Sequence, residues 1–110
     1  MIAIIDYDAG NLRSVEKALD ALGEQPVISR DEKTILSADR VILPGVGSFG
    51  DAMGKLRQYG LVDVIHRVTD QGTPFLGICL GLQLLFERSG ESEGVPGLGI
   101  LPGEIVKFPD

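Results

Sequence analysis

The only cysteine of the chain lies in a sequence pattern that could do covalent chemistry. Cys79 stands between Gly77 and Gly81, where an apolar run gives way to helical spacing. This G-x-C-x-G spacing is typical of a nucleophile elbow, a sharp strand-to-helix turn that lifts the nucleophile above the sheet. A thiol at a helix N-terminus also has more thiolate character. The pattern predicts a strand over residues 75–78, a helix from about Leu80 and a strained backbone at the cysteine.

An amide side chain accompanies the cysteine on the predicted helix. Gln83 follows Cys79 by four positions, so both side chains project from the same helix face. A lone cysteine in an apolar strand is often an inert core residue. The flanking glycines and the nearby glutamine favour a catalytic role over that alternative.

A second glycine-rich segment, residues 45–50 (GVGSFG), matches the G-x-G-x-x-G pattern of dinucleotide-binding loops. It follows the third predicted strand instead of the first, Pro44 precedes it, and the next strand ends at Cys79 instead of an acidic residue. We therefore favour a loop of backbone donors. An elbow offers one oxyanion donor, the amide of Leu80, and residues 44–47 would supply the second. A plain glycine turn before a capped helix remains the alternative.

A cysteine nucleophile usually needs a histidine base. The only histidine, His66, falls beside the apolar stripe of a predicted helix, and we expect it to be solvated. Glu87, Glu91 and Glu93 are also expected to be solvated charges. One cysteine and one histidine cannot build a zinc site, so we predict no metal and no cofactor.

Composition narrows the class of protein. The chain has 110 residues, 44% hydrophobic and 24% charged, as expected for a single globular domain. A net charge of −6 argues against nucleic acid or an anionic membrane as a partner. A single cysteine and an N-terminal apolar run too short for a signal peptide or a membrane span predict a cytoplasmic location.

Apolar runs and helical spacing alternate along the chain. The predicted strands are Ile2–Ile5, 25–29, Arg40–Leu43, 75–78 and 104–108. Helices are predicted after Asn11 and Ser48, which are expected to cap them, and after Gly60 and Cys79. The helix after Asn11 is predicted to carry an apolar stripe. Residues 31–37 are predicted to be a loop with one helical turn, and the chain beyond Glu87 to be mostly loop. Buried strands alternating with helices indicate an α/β domain with a mostly parallel sheet, whose site lies at the carboxyl ends of the strands.

Three segments together resemble the class I glutamine amidotransferases. They are residues 77–83 (GICLGLQ), 44–49 (PGVGSF) and 6–14 (DYDAGNLRS). More narrowly, they resemble the family of glutaminase subunits of imidazole glycerol phosphate synthase, from histidine biosynthesis, and residues 97–103 (GLGILPG) fit as well. The resemblance spans nearly the whole chain. It implies a three-layer, flavodoxin-like fold.

The resemblance also implies a mechanism. Cys79 would attack the side-chain amide of glutamine, giving a glutamyl thioester and ammonia. Its neighbours would have assigned roles: the backbone amides of Leu80 and Val46 as oxyanion donors, and Gly45, Gly47 and Gln83 as glutamine-binding residues. Ammonia would pass to a (β/α)₈-barrel synthase subunit, which would bind near the turn at residues 10–11. That subunit would make imidazole glycerol phosphate and aminoimidazole carboxamide ribotide.

The family completes its triad with a histidine and a glutamate near the C-terminus, and the chain reaches Asp110 without them. We therefore expect residues 1–110 to be one incomplete domain, inactive alone and prone to self-association. Alternatives are another glutaminase subunit of the class and a flavodoxin-like nucleotide-binding module using residues 45–50. A related group of thiol hydrolases and chaperones places histidine directly after the cysteine, where this chain has Leu80.

Overall fold

Short apolar runs form the strands of a central parallel sheet. The computed structural model describes residues 1–106. The sheet contains β1 (Ile2–Ile5), β2 (Pro26–Ser29), β3 (Arg40–Leu43) and β4 (Phe75–Gly77), in the order β2-β1-β3-β4. All three pairings are parallel. The predicted α/β class with a mostly parallel sheet is confirmed, although β2 begins one residue later and β4 ends one residue earlier than predicted.

Helices connect the strands. They are α1 (Leu12–Ala21), α2 (Glu32–Ser37), α3 (Phe49–Gln58), α4 (Leu61–Asp70) and α5 (Leu80–Leu84). A separate two-stranded parallel sheet pairs β5 (Arg88–Ser89) with β6 (Glu104–Ile105). Within residues 1–106, no helix combines the length and the apolar character needed to cross a membrane.

The main core lies on one face of the central sheet. Ala3 and Ile5 of β1, with Val41 and Leu43 of β3, join a buried cluster with apolar side chains of α2 to α5. The alternate residues point to the other face because strand side chains alternate. There Ile2 and Ile42 lie beside Leu19 of α1. Within residues 1–106 the result is a three-layer arrangement, with α1 as the one helix on the second face.

The layer formed by α1 covers the sheet only in part. Its predicted apolar stripe is present, but no residue of α1 is fully buried. A groove of about 300 Å³ separates the helix from β3 and β4. Leu22, which follows the helix, is 77% exposed, and Leu76 of β4 is 56% exposed. This apolar face of the sheet is therefore only half covered by α1.

Two local predictions need correction, those for residues 31–37 and for the strand 104–108. Residues 31–37 are not a loop with one turn, because α2 spans six residues and Asp31 caps it by accepting from the Thr34 amide at 3.0 Å. The segment beyond Glu87 is mostly loop, as predicted, although it begins with the two-residue strand β5. The predicted strand 104–108 is only two residues long where described, and residues 107–108 lie outside the described part.

The predicted helix caps behave differently from one another. Ser48 caps α3 as predicted, since its hydroxyl accepts from the Asp51 amide at 3.2 Å. Asn11 occupies the N-cap position of α1, but its side chain makes no capping hydrogen bond. Its Oδ1 atom is buried without a hydrogen-bond partner among residues 1–106.

Candidate active site

The predicted elbow is present. Cys79 sits between β4 and α5, with Ile78 as the only other intervening residue. Its φ of 54° and ψ of −124° place a non-glycine residue in a rarely adopted region. The cysteine is a free, exposed thiol. The strand, the strained cysteine and the helix from Leu80 confirm the prediction made from the glycine spacing.

Both flanking glycines are required by close backbone packing. A Cβ added to Gly81 would overlap the carbonyl oxygen of Leu43, at the end of β3. A Cβ added to Gly77 would lie 2.7 Å from the Cα atom of Leu82. Larger residues would force the first turn of α5 away from the sheet, so the glycines allow the elbow to sit tightly against β3.

The glycine loop after β3 lies directly against the elbow. The Ile78 amide donates to the Leu43 carbonyl at 3.0 Å, and the Leu80 amide donates to the Gly45 carbonyl at 3.2 Å. The loop and the elbow therefore lie at the same end of the sheet, as expected from its parallel strands. Cys79 is thus flanked by the loop that was predicted to supply backbone donors.

The hydrogen bonding of this loop affects whether the two predicted oxyanion donors, the amides of Leu80 and Val46, are available. The Leu80 amide already has the Gly45 carbonyl as its acceptor. Because the peptide bond is planar and trans, the Val46 N–H points opposite to that carbonyl. In this conformation neither amide is a donor aimed at a shared oxyanion position. Their assignment stays a prediction, and it requires the Gly45–Val46 peptide to rotate.

The N-terminus of α3 matters for the nucleotide-binding alternative. Its Gly50 amide donates to the Ser92 hydroxyl at 3.0 Å, and its Asp51 amide donates to the Ser48 hydroxyl at 3.2 Å. A phosphate held by the G-x-G-x-x-G segment would need such amides. Their use by two serine hydroxyls counts against a phosphate site in this loop.

Gln83 offers a buried acceptor on the elbow helix. It lies on α5 four residues after Cys79 and is half-buried. Its side-chain Oε1 atom is buried and has no hydrogen-bond partner within the described part of the chain. Buried polar atoms are normally paired, so this oxygen fits a site that receives a donor from a ligand.

Tyr7 is a contact of the donor loop that sequence reasoning missed. It follows β1, is 3% exposed, and its hydroxyl donates to the Pro44 carbonyl. Burial raises the pKa of this hydroxyl well above its usual range, so it remains a neutral donor. In the sequence, a tyrosine after a strand looks the same whether it makes such a contact or packs as an ordinary core residue. No sequence signal could therefore have identified it.

Sequence reasoning also missed a charged cluster beside this loop, formed by Asp6, Asp8, Arg30, Lys55 and Tyr59. Arg30 pairs with Asp6 at 3.2 Å and with Asp8 at 3.1 Å, while Lys55 lies 3.4 Å from Asp8. The guanidinium also stacks 3.9 Å from the centre of the Tyr59 ring. A hydrogen bond from Tyr59, followed by those from Arg30 and Lys55, lowers the pKa of Asp8. The cluster fixes Asp8, which has a left-handed φ of 69°.

A family model for class I glutamine amidotransferases matches residues 3–107, nearly the full chain. The chain belongs to this family. The match agrees with the resemblance carried by the elbow and the glycine loop.

Sequence relatives point to one branch of the class I glutamine amidotransferases. The chain is 58% identical over 108 residues to the imidazole glycerol phosphate synthase subunit HisH of Bacillus cereus (strain G9842), covering 98% of the chain and 52% of that protein. It is 54% identical over 107 residues to the HisH subunit of Synechococcus elongatus, covering 97% of the chain and 49% of that protein. The chain therefore spans about half the length of these curated relatives.

Solved structures support the fold. A crystal structure of a glutamine amidotransferase superposes with a TM-score of 0.80 at 22% identity, covering 96% of the chain and 56% of that protein. A putative peptidase E from Listeria monocytogenes EGD-e superposes with a TM-score of 0.73 at 13% identity, covering 91% and 62%. Both share the flavodoxin-like fold of class I glutamine amidotransferases, which confirms the predicted architecture.

The remaining candidates of the sequence analysis lie on other elements. His66 is half-buried on α4, which packs against α2 and α3, and not on the elbow. Glu87, Glu91 and Glu93 are exposed, as expected for solvated charges. Among residues 1–106, no group of three or more histidine, cysteine or acidic side chains could hold a metal ion.

Proposed function

We propose that this class I glutamine amidotransferase chain carries the nucleophile and the oxyanion loop of a glutaminase. A base takes the proton of the Cys79 thiol, and the thiolate attacks the side-chain amide carbon of glutamine. The protonated base returns that proton to the amide nitrogen, so that collapse of the tetrahedral intermediate expels ammonia and leaves a glutamyl thioester. The histidine that the family carries near its C-terminus would be this base. Water then hydrolyses the thioester to glutamate. The observation that carries the proposal is the strained, exposed Cys79 at an elbow that contacts the glycine loop.

The oxyanion of that intermediate needs two backbone donors. Rotation of the Gly45–Val46 peptide would withdraw the Gly45 carbonyl from the Leu80 amide and turn the Val46 amide toward the elbow. Both amides would then face one oxyanion position. Two features of the loop leave room for this rotation: Val46 is half-exposed, and Gly47 has a φ of 93° with nothing within 4 Å of an added Cβ.

Glutamine itself would be held by the same loop and by the elbow helix. Gly45 and Gly47 bring backbone groups close to the ligand without side chains in the way. The unpaired Oε1 atom of Gln83 would accept a hydrogen bond from glutamine. This gives Gln83 a binding role and leaves the chemical step to Cys79.

The ammonia would serve a synthase. The names of the relatives, subunits of imidazole glycerol phosphate synthase, support a partner subunit that consumes it. We propose a (β/α)₈-barrel partner that binds near Gly10 and Asn11 and forms imidazole glycerol phosphate and aminoimidazole carboxamide ribotide. A cytoplasmic heterodimer of the two subunits is part of this proposal.

Covalent labelling tests the proposal. A chloroketone derived from glutamine should alkylate Cys79, glutamine should slow the reaction, and asparagine, one methylene shorter, should not. Intact-mass and peptide mass spectrometry on wild type and Cys79→Ala would locate the label. Labelling that is indifferent to glutamine would contradict the proposal. Micromolar nucleotide binding in calorimetry would instead favour the flavodoxin-like module.

A further inference from the structure

The Tyr7 hydroxyl lies at the base of the donor loop. Tyr7 comes two residues after β1, and its hydroxyl reaches across to the carbonyl of Pro44, directly after β3. Both residues are buried, so the carbonyl has little access to water as an alternative donor. The proposed mechanism assigns this hydroxyl no role.

Gly45 is held between that hydroxyl and the elbow. A Cβ added to Gly45 would lie 2.5 Å from the Tyr7 hydroxyl oxygen and 2.7 Å from the Gly81 amide nitrogen. The two residues that follow are free of such contacts: Val46 is 50% exposed, and a Cβ on Gly47 would meet nothing within 4 Å. The loop is therefore tightly packed at Gly45 and loosely packed at Val46 and Gly47.

We propose that Tyr7 is a positioning residue for the oxyanion loop, because its hydroxyl fixes the Pro44 carbonyl from which the Gly45–Val46 peptide rotates. Rotation about ψ of Gly45 and φ of Val46 turns the Gly45–Val46 peptide over, so that its N–H takes the place of its carbonyl. The N–H reaches the same position as the carbonyl only if the preceding peptide, between Pro44 and Gly45, stays still. With that peptide free, the Val46 amide would not arrive opposite the Leu80 amide. This inference rests on the proposed glutaminase function.

The test compares two electrophiles on the full gene product. Iodoacetamide alkylates a thiolate by direct displacement and needs no oxyanion donors, so its rate at Cys79, followed by peptide mass spectrometry, reports only on that thiol. The glutamine-derived chloroketone places its ketone oxygen in the oxyanion position while the thiolate displaces chloride from the neighbouring carbon, so its rate also depends on the donors. We expect Tyr7→Phe to leave the iodoacetamide rate within about twofold and to lower the chloroketone rate at least about tenfold, since a lost donor costs that much or more.

A matched control is the other tyrosine. Tyr59→Phe also removes one hydroxyl, the one bonded to Asp8, and should leave the ratio of the two rates unchanged. Circular dichroism of each variant establishes that it is folded. An unchanged ratio in Tyr7→Phe, an equal loss of both rates, or a faster chloroketone reaction would each overturn the positioning role. Failure of the wild type to react with the chloroketone would instead contradict the glutaminase proposal.

Discussion

Gly81 lies so close to the carbonyl oxygen of Leu43 that no side chain fits between them. This contact joins the first turn of the elbow helix to the end of the neighbouring strand. It sets the height of Cys79 above the sheet and brings the glycine loop beside it.

Replacing this glycine should destabilise the protein. In Gly81→Ala the new methyl group would meet backbone atoms that cannot rotate away, so we expect a loss of about 1–3 kcal/mol in the free energy of unfolding. Urea unfolding measures it. Gly54→Ala is the matched control, because Gly54 lies within α3 with nothing within 4 Å of an added Cβ. That change should stabilise by up to about 1 kcal/mol, and equal effects of the two changes would contradict the role of the contact.

The strain at Cys79 should be measurable. Glycine adopts a φ of 54° without a Cβ clash, whereas alanine keeps the strain. Relief of about 1–3 kcal/mol exceeds the cost of about 0.4–1 kcal/mol that glycine incurs through unfolded-state entropy. Cys79→Gly should therefore unfold with a free energy about 1 kcal/mol higher than Cys79→Ala. A Cys79→Gly variant less stable than Cys79→Ala would show that the cysteine conformation is unstrained.

The pairing of Asp8 predicts a pH dependence. The hydrogen bond from Tyr59 and the neighbouring cations lower the folded-state pKa of Asp8 below its unfolded value. Its contribution is thus complete above the unfolded pKa, about 3.9, and is lost as the pH falls through the lower folded pKa.

Asp8→Asn tests this dependence, because asparagine tolerates the left-handed φ but does not titrate. The stability advantage of wild type over the variant should be constant above about pH 5 and shrink below about pH 4. Salt should also reduce it, since the cluster is exposed. If the stability difference between wild type and Asp8→Asn stayed constant on acidification, the charged cluster could not be its source.

The half-covered face beside α1 predicts self-association. Among the described strands, β4 pairs only with β3, and Leu76 on it is largely exposed. An unpaired edge next to an apolar groove is a site for strand pairing. Sedimentation velocity of residues 1–110 should show oligomers that Leu76→Lys reduces. Val106→Lys also replaces an exposed apolar residue, outside the groove, and should have no such effect. A wild-type monomer at high concentration would be evidence against the prediction.

Residues 1–110 alone should not turn over glutamine. Thioester hydrolysis needs an activated water, and His66, the only histidine, lies on α4 and not on the elbow. Loss of the base in comparable triads costs several orders of magnitude in rate. A steady-state ammonia assay, with and without the barrel partner, measures this. Sustained release that disappears in Cys79→Ala would mean that a residue of this segment acts as the base, and His66→Ala would test whether that residue is His66.

The sequence by itself determined the features that depend on short-range spacing. The glycines two residues before and two residues after Cys79 specify the elbow. Gly77 must leave space for the helix backbone that follows it, and Gly81 for the backbone of the neighbouring strand. The buried run Ile2–Ile5 specifies a strand covered on both faces. In the same way Ser48, three residues before Asp51, specified the start of α3.

Tertiary structure decided the contacts between distant residues. Tyr7 meets Pro44 across 37 positions of the chain, and Arg30 meets Asp8 across 22, so neither pair leaves a local pattern. The orientation of the Gly45–Val46 peptide is also outside the reach of sequence, because glycine permits both orientations and only the packed Leu80 amide selects one. Local spacing specified the position of the nucleophile Cys79, whereas packing between strands specified the hydrogen bonding of its predicted oxyanion donors.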